Sequence, residues 1–143
     1  MARIFILLCL VFFTSCFSTK SFLDHDQIPK DFGKDNKPVF IVQYSNKRIN
    51  NIIIAAFEKY YKGPYSVVTE DEVLRKSGYV FHAYMDHYTV MTSSGHVERD
   101  KDLQFQLKDL MANKIFQTYG FASPKTKAKY YIQALEIVRQ RNQ

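Results

Sequence analysis

The stretch from Val39 to Thr69 constrains the fold more than any other part of the chain. "VFIVQY", Val39 to Tyr44, is a short run of β-branched and aromatic residues, the pattern of a strand covered on both faces. In "NKRINNIIIAAFEKYYKG", Ile49, Ile52, Ile53, Ala56, Phe57 and Tyr60 fall on one face of a helix. Ser45 or Asn46 can cap its start, and Gly63 and Pro64 end it. "YSVVT", Tyr65 to Thr69, then reads as a second strand. A strand, a helix and a strand with short joints make a right-handed crossover, so the two strands should pair in parallel. A parallel pair needs helices laid on the sheet, which commits the chain to an α/β architecture.

The rest of the sequence extends this unit. Thr69-Glu70-Asp71-Glu72 is a capping box and predicts a short helix from Glu70 to about Lys76, closed by Gly78. "YVFHAYMDHYTVM", Tyr79 to Met91, predicts a long strand. Phe81, Ala83 and Met85 lie on its more apolar face, and Val80, His82, Tyr84 and Asp86 on the other. "SSGHVERDKD" reads as a turn, "LQFQLKD" (Leu103 to Asp109) as an alternating strand, and "KIFQTYGF" as a last strand after a tight turn at Ala112-Asn113-Lys114. These three strands form an antiparallel meander. Ser123-Pro124 starts a final helix with Ala128, Tyr131, Ile132, Leu135 and Val138 on its buried face. The expected order over residues 38–143 is β-α-β-(short α)-β-β-β-α, one mixed sheet with two main helices packed on it. A chain of 143 residues suits one such domain, and twelve Phe with ten Tyr suit a β-rich core.

The N-terminus follows a different logic. "MARIFILLCLVFFTSC" has one cation, Arg3, then an unbroken apolar run from Ile4 to Phe13, then small residues. This is the layout of a secretory signal peptide, and about ten apolar residues are too few to cross a membrane core. The segment resembles a bacterial lipoprotein signal: Thr14, Ser15 and Cys16 match the last three places of the cleavage box, and Phe13 stands where that family usually has Leu. The resemblance implies removal of residues 1–15 and a diacylglycerol thioether, with an N-acyl chain, on Cys16. Two or three acyl chains anchor a protein stably where one does not. Phe17 stands where an Asp often marks retention in the inner membrane, so the resemblance points to the outer membrane. The other readings are a plain signal peptide or an anchor helix with an incidental Cys. Residues 17–37 hold four Lys and four Asp with no sustained period and read as a tether, although Phe22, Leu23, Ile28 and Phe32 could pack on the domain. Cys9 lies in the removed piece, so no disulfide or Cys-ligated zinc site is expected. The domain's element order is similar, by layout alone, to the N-terminal α/β domain of TolB and to curli-secretion-type outer-membrane lipoproteins.

Catalytic motifs are absent. His82 and His87 are five apart on a strand and point to opposite faces. His82 and Asp86 share a face about 13 Å apart, at about 3.3 Å per residue. His96 falls in the turn beside Ser93, Ser94 and Gly95, which turn chemistry explains. No metal, cofactor or catalytic residue is therefore expected; the alternative is a small exported hydrolase using His82, Asp86 or His96. Tyr60, Tyr61, Tyr65, Tyr79, Tyr84 and Tyr88 suit half-buried strands as well as a glycan- or peptide-binding face. The net charge of +6 is too low for a dedicated nucleic-acid binder, and export leads away from nucleic acid. The last helix concentrates cations: Lys125, Lys127, Lys129, Arg139 and Arg141 against Glu136. Lysines in a first turn oppose the helix macrodipole. The cluster is either a solvated face or a contact for an anionic partner: a lipid headgroup, lipopolysaccharide or an acidic protein face. The expectation is a non-enzymatic module of the bacterial cell envelope, anchored in a membrane through Cys16.

Overall fold

The computed structural model describes residues 18–143 apart from 74, 92 and 96, and the side chains at 89–91 and 97–100 are left aside. The expected signal peptide (residues 1–15), Cys16, Phe17 and His96 lie outside the described residues. In chain order the elements are α1 (Thr19–Leu23), β1 (Val39–Val42), α2 (Lys47–Tyr60), β2 (Tyr65–Val68), α3 (Glu70–Val73), β3 (Tyr79–Met91), β4 (Val97–Asp109), β5 (Lys114–Gln117) and α4 (Pro124–Arg141).

The strands form one sheet in the order β2-β1-β3-β4-β5. β1 pairs in parallel with β2 (Val39↔Tyr65) and with β3 (Val39↔Tyr79), while β3–β4 and β4–β5 are antiparallel. The α/β class and the mixed sheet are as the sequence predicts. Asn46 starts α2, its Oδ1 accepting from the amides of Arg48 (2.9 Å) and Ile49 (3.3 Å). Ser123 caps α4 through the Thr126 amide, with Pro124 in its first turn.

The continuous apolar run of β1 reflects two covered faces. Val39 and Ile41 enter the main core, built of the sheet, α1, α2 and α4; Phe40 and Val42 enter a smaller one with Val68 and Val80, partly covered by Val73 and Leu110. Phe57 centres the main core: it is fully buried, with ring centroids 5.2 Å from Phe81, 5.5 Å from Tyr61 and 5.4 Å from Tyr65. Aromatic pairs at such spacings contribute about 0.5–1.5 kcal/mol each beyond their buried area.

Three expectations change. Residues 18–37 are not a tether, and the domain begins well before Pro38. Phe22 and Phe32 are fully buried, and Phe22 meets Tyr131 edge-on at 5.1 Å. The Tyr131 hydroxyl donates to the Gln27 carbonyl, Gln27 Oε1 accepts from the Tyr119 amide, and Asn142 Nδ2 donates to the carbonyls of Lys30 and Phe32. This segment shows no sequence period because its apolar residues fill separate gaps: Phe22 against Tyr131 of α4, Phe32 against Tyr61 and Tyr79, and Ile28 beside the turn between β4 and β5. Second, β4 begins at Val97 instead of Leu103, and Ser93, Ser94 and Gly95 lie in the turn, with Gly95 at φ +79°. The added rungs pair polar residues, such as His87↔Lys101 and Tyr88↔Asp100, in a ribbon that need not alternate. Third, β5 ends at Gln117 and α3 at Val73, both shorter than predicted. The Glu72 carboxylate does reach back, accepting from the Thr69 amide (2.7 Å) and hydroxyl (3.2 Å).

Candidate functional site

The five cations of α4 divide into two sets. Lys127 and Arg139 lie in one i, i+4 row with the buried Tyr131 and Leu135, so they turn inward. Lys127 is fully buried and its Nζ donates to Asp102 Oδ2 (2.7 Å), the Leu103 carbonyl (2.7 Å) and Gln104 Oε1 (3.1 Å). Three acceptors match the three protons of an ammonium. Burial lowers the Lys127 pKa, with Asp102 opposing that shift. Gln104 in turn donates to Asp102 and accepts from Thr118, whose hydroxyl accepts from the Phe105 amide. This network fastens α4 to β4.

Arg139 packs over the Tyr61 ring and makes two hydrogen bonds to Glu136, from Nε (2.9 Å) and Nη2 (2.6 Å). Glu136 also accepts from the Lys62 amide and from Gln140. Burial alone would raise the Glu136 carboxyl, but the hydrogen bonds from Arg139, Lys62 and Gln140 outweigh it and hold it below the usual range. As contacts for an outside anion, Lys127 and Arg139 are therefore corrected: their charges are spent on internal carboxylates. Arg141 is exposed at the far end of α4.

Lys125 and Lys129 remain accessible and do not stand alone. The contacts from Lys62 and Tyr61 to Glu136 and Arg139 set the C-terminal ends of α2 and α4 side by side. The two helices thus run broadly in the same direction, with a groove of about 730 Å³ between them. Two adjacent rows of α2 line it, Lys47-Asn51-Ala55-Lys59 and Arg48-Ile52-Ala56-Tyr60, facing Lys125 and Lys129 of α4. At 1.5 Å per residue, Lys47 to Lys59 spans about 18 Å. Ile52, Ala55 and Ala56 give the groove an apolar floor; among the described residues five cations rim it and no acidic side chain lines it. Among the described residues none of the five is in an ion pair. Neither helix carries an acidic residue in its first turn, where one would complement the dipole. Sequence reasoning missed Lys47, Arg48 and Lys59; their i, i+4 rows were visible, but the face of α4 they meet was not.

Of the residues weighed for hydrolysis, His82 and Asp86 stay apart, and His96 lies outside the described residues. β3 and β4 pair without a break from Tyr79↔Asp109 to Met91↔Val97, so alternation holds along β3. His82 is half-buried in a shallow depression with Gln43, Tyr44, Glu70 and Gln106, and Asp86 is exposed farther along the strand. Burial lowers the His82 pKa, with Glu70 opposing and Lys108 adding to the shift. Ser93 and Ser94 are exposed in the turn. No group of three metal-ligating side chains occurs among the described residues. The six tyrosines do not share one face: Tyr61 and Tyr79 are buried, and Tyr65 packs on Phe57. No protein family matches the chain, and no match is found to a curated protein or a solved structure, so any functional reading rests on the groove and the sequence.

Proposed function

We propose that this protein is a lipoprotein of the bacterial cell envelope, anchored by acyl chains on Cys16 and using its α/β domain as a non-enzymatic binding module. The anchor reading rests on the short apolar run closed by Thr14-Ser15-Cys16. Among the described residues no helix is long and apolar enough to cross a membrane. The observation that carries the binding reading is the convergence of Lys47, Arg48, Lys59, Lys125 and Lys129 on one apolar-floored groove that no carboxylate lines among the described residues. Among the described residues no carboxylate neutralises these cations, so the groove presents an uncompensated positive field to an anionic ligand. The absence of Asp at position 17 favours the outer membrane.

The test is expression in a bacterial host with radiolabelled palmitate, followed by membrane fractionation. The wild-type chain should take up label and sediment with membranes; Cys16→Ser should lose the label and accumulate as uncleaved precursor. A Cys16→Ser protein processed and fractionated like the wild type rules the anchor out.

A further inference from the structure

The groove opens beside the point where the proposed anchor leaves the domain. The Thr19 hydroxyl donates to Gln133 Oε1 over 3.3 Å. Gln133 follows Lys125 and Lys129 in the same i, i+4 row of α4, one turn or about 6 Å beyond Lys129. Thr19 is three residues from Cys16, and three residues of chain span at most about 10 Å. Acyl chains on Cys16 would thus enter their membrane within about 20 Å of the groove's rim. Attraction between exposed charges fades over about 8 Å at physiological salt, so a short anchor matters: it keeps these cations near headgroups.

Resting on the lipoprotein reading for the membrane's position, we infer that the groove between α2 and α4 is a docking surface for anionic phospholipid, and that the domain lies with this side against the leaflet holding its anchor. The phosphate sits between Lys125 and Lys129 on one rim and Lys47 and Arg48 on the other. The Arg48 guanidinium offers a paired-donor geometry suited to phosphate oxygens. The apolar part of the lipid covers Ile52, Ala55 and Ala56. A free phosphate would leave that floor wet, whereas an amphiphile satisfies both rim and floor. Residues 18–37, as part of the folded domain, give the anchor a fixed point of departure.

Flotation of the full-length Cys16→Ser chain with phosphatidylcholine vesicles, with and without phosphatidylglycerol, tests this. Arg3 and the N-terminal amine favour the anionic vesicles equally in every variant, so the groove is read from the change its substitutions make to the ratio, and the missing acyl chains keep the result independent of the anchor. Cations near an anionic surface each strengthen binding severalfold, so we expect at least about tenfold tighter binding to the anionic vesicles. Lys125→Glu/Lys129→Glu should remove most of that preference. Lys34→Glu/Lys114→Glu, which removes the same charge away from the groove, should keep most of it. Lys47→Gln/Lys59→Gln, a milder change, should reduce it severalfold; circular dichroism melting establishes that each variant is folded. Equal binding to both vesicles overturns the proposal, as does an equal loss in the Lys34/Lys114 control. Calorimetric binding of inorganic phosphate without vesicle preference assigns a soluble anion instead. Tighter binding of polyglutamate than of anionic vesicles assigns an acidic protein instead. Either result also overturns it.

Discussion

Replacing Lys127 by Met deletes an ammonium while keeping an apolar stem of similar length, and so separates a structural lysine from a surface one. In the wild type that ammonium binds Asp102, the Leu103 carbonyl and Gln104, and the Asp102 side chain is only 13% exposed. Removing one partner of a buried ion pair costs about 3–5 kcal/mol, because the other charge stays buried. Asp102 keeps some solvent and the Gln104 amide, so the lower end applies: about 3 kcal/mol. For a domain of this size each kcal/mol moves Tm by about 4 °C, giving a fall of about 12 °C. Urea denaturation followed by far-UV circular dichroism should show the lower midpoint with an unchanged slope. Lys125→Met, on the groove rim, should stay within about 0.5 kcal/mol of wild type. Adding Asp102→Asn to Lys127→Met should cost less than the two single changes summed, by at least about 1 kcal/mol. If Lys127→Met unfolds with the wild type, or no earlier than Lys125→Met, the inward course of Lys127 is refuted.

Two further perturbations probe the docked N-terminal segment and the second ion pair. Gly33 has φ +89°, and a Cβ there would lie 2.7 Å from the Arg139 Cα. Gly33→Ala should lose at least about 1–3 kcal/mol and raise amide exchange across residues 19–32 more than in β3; an exchange pattern like wild type would restore the tether reading. The Glu136 carboxyl is held below its ordinary value of 4.5, so its contribution is present above that pH and lost as pH falls through the lower folded value. Acid titration of stability should therefore show a steep loss below about pH 4.5 that is shallower in Glu136→Gln; superimposable slopes would contradict the pairing with Arg139.

The sheet was legible where local signals agreed. Val39–Val68 carries period, caps and breakers that all favour one strand-helix-strand unit, and Ser123-Pro124 marks the start of α4. What escaped was tertiary. Phe22, Ile28 and Phe32 follow no period, because each fills a different gap: Phe22 against Tyr131 of α4, Phe32 against Tyr61 and Tyr79, and Ile28 beside the β4–β5 turn. The polar ends of β3 and β4 were hidden for a related reason: cross-strand pairing holds them where no buried face imposes alternation. The inward turn of Lys127 and Arg139 was readable in principle, since they share a row with Tyr131 and Leu135, but their charge masked it. The groove needed knowledge of which helices are neighbours. Lys47, Arg48 and Lys59 reveal nothing beside Lys125 and Lys129 until α2 and α4 lie side by side.

The central claim is that Cys16 ends the mature chain and carries its membrane anchor. Mass spectrometry of the protein purified from bacterial membranes tests it most directly, by the N-terminal peptide released on proteolysis. The account predicts a peptide that begins at Cys16 and bears a diacylglycerol thioether, with or without an N-acyl chain. A mature N-terminus at any other residue, or a peptide that contains Cys16 with an unmodified thiol, would contradict it.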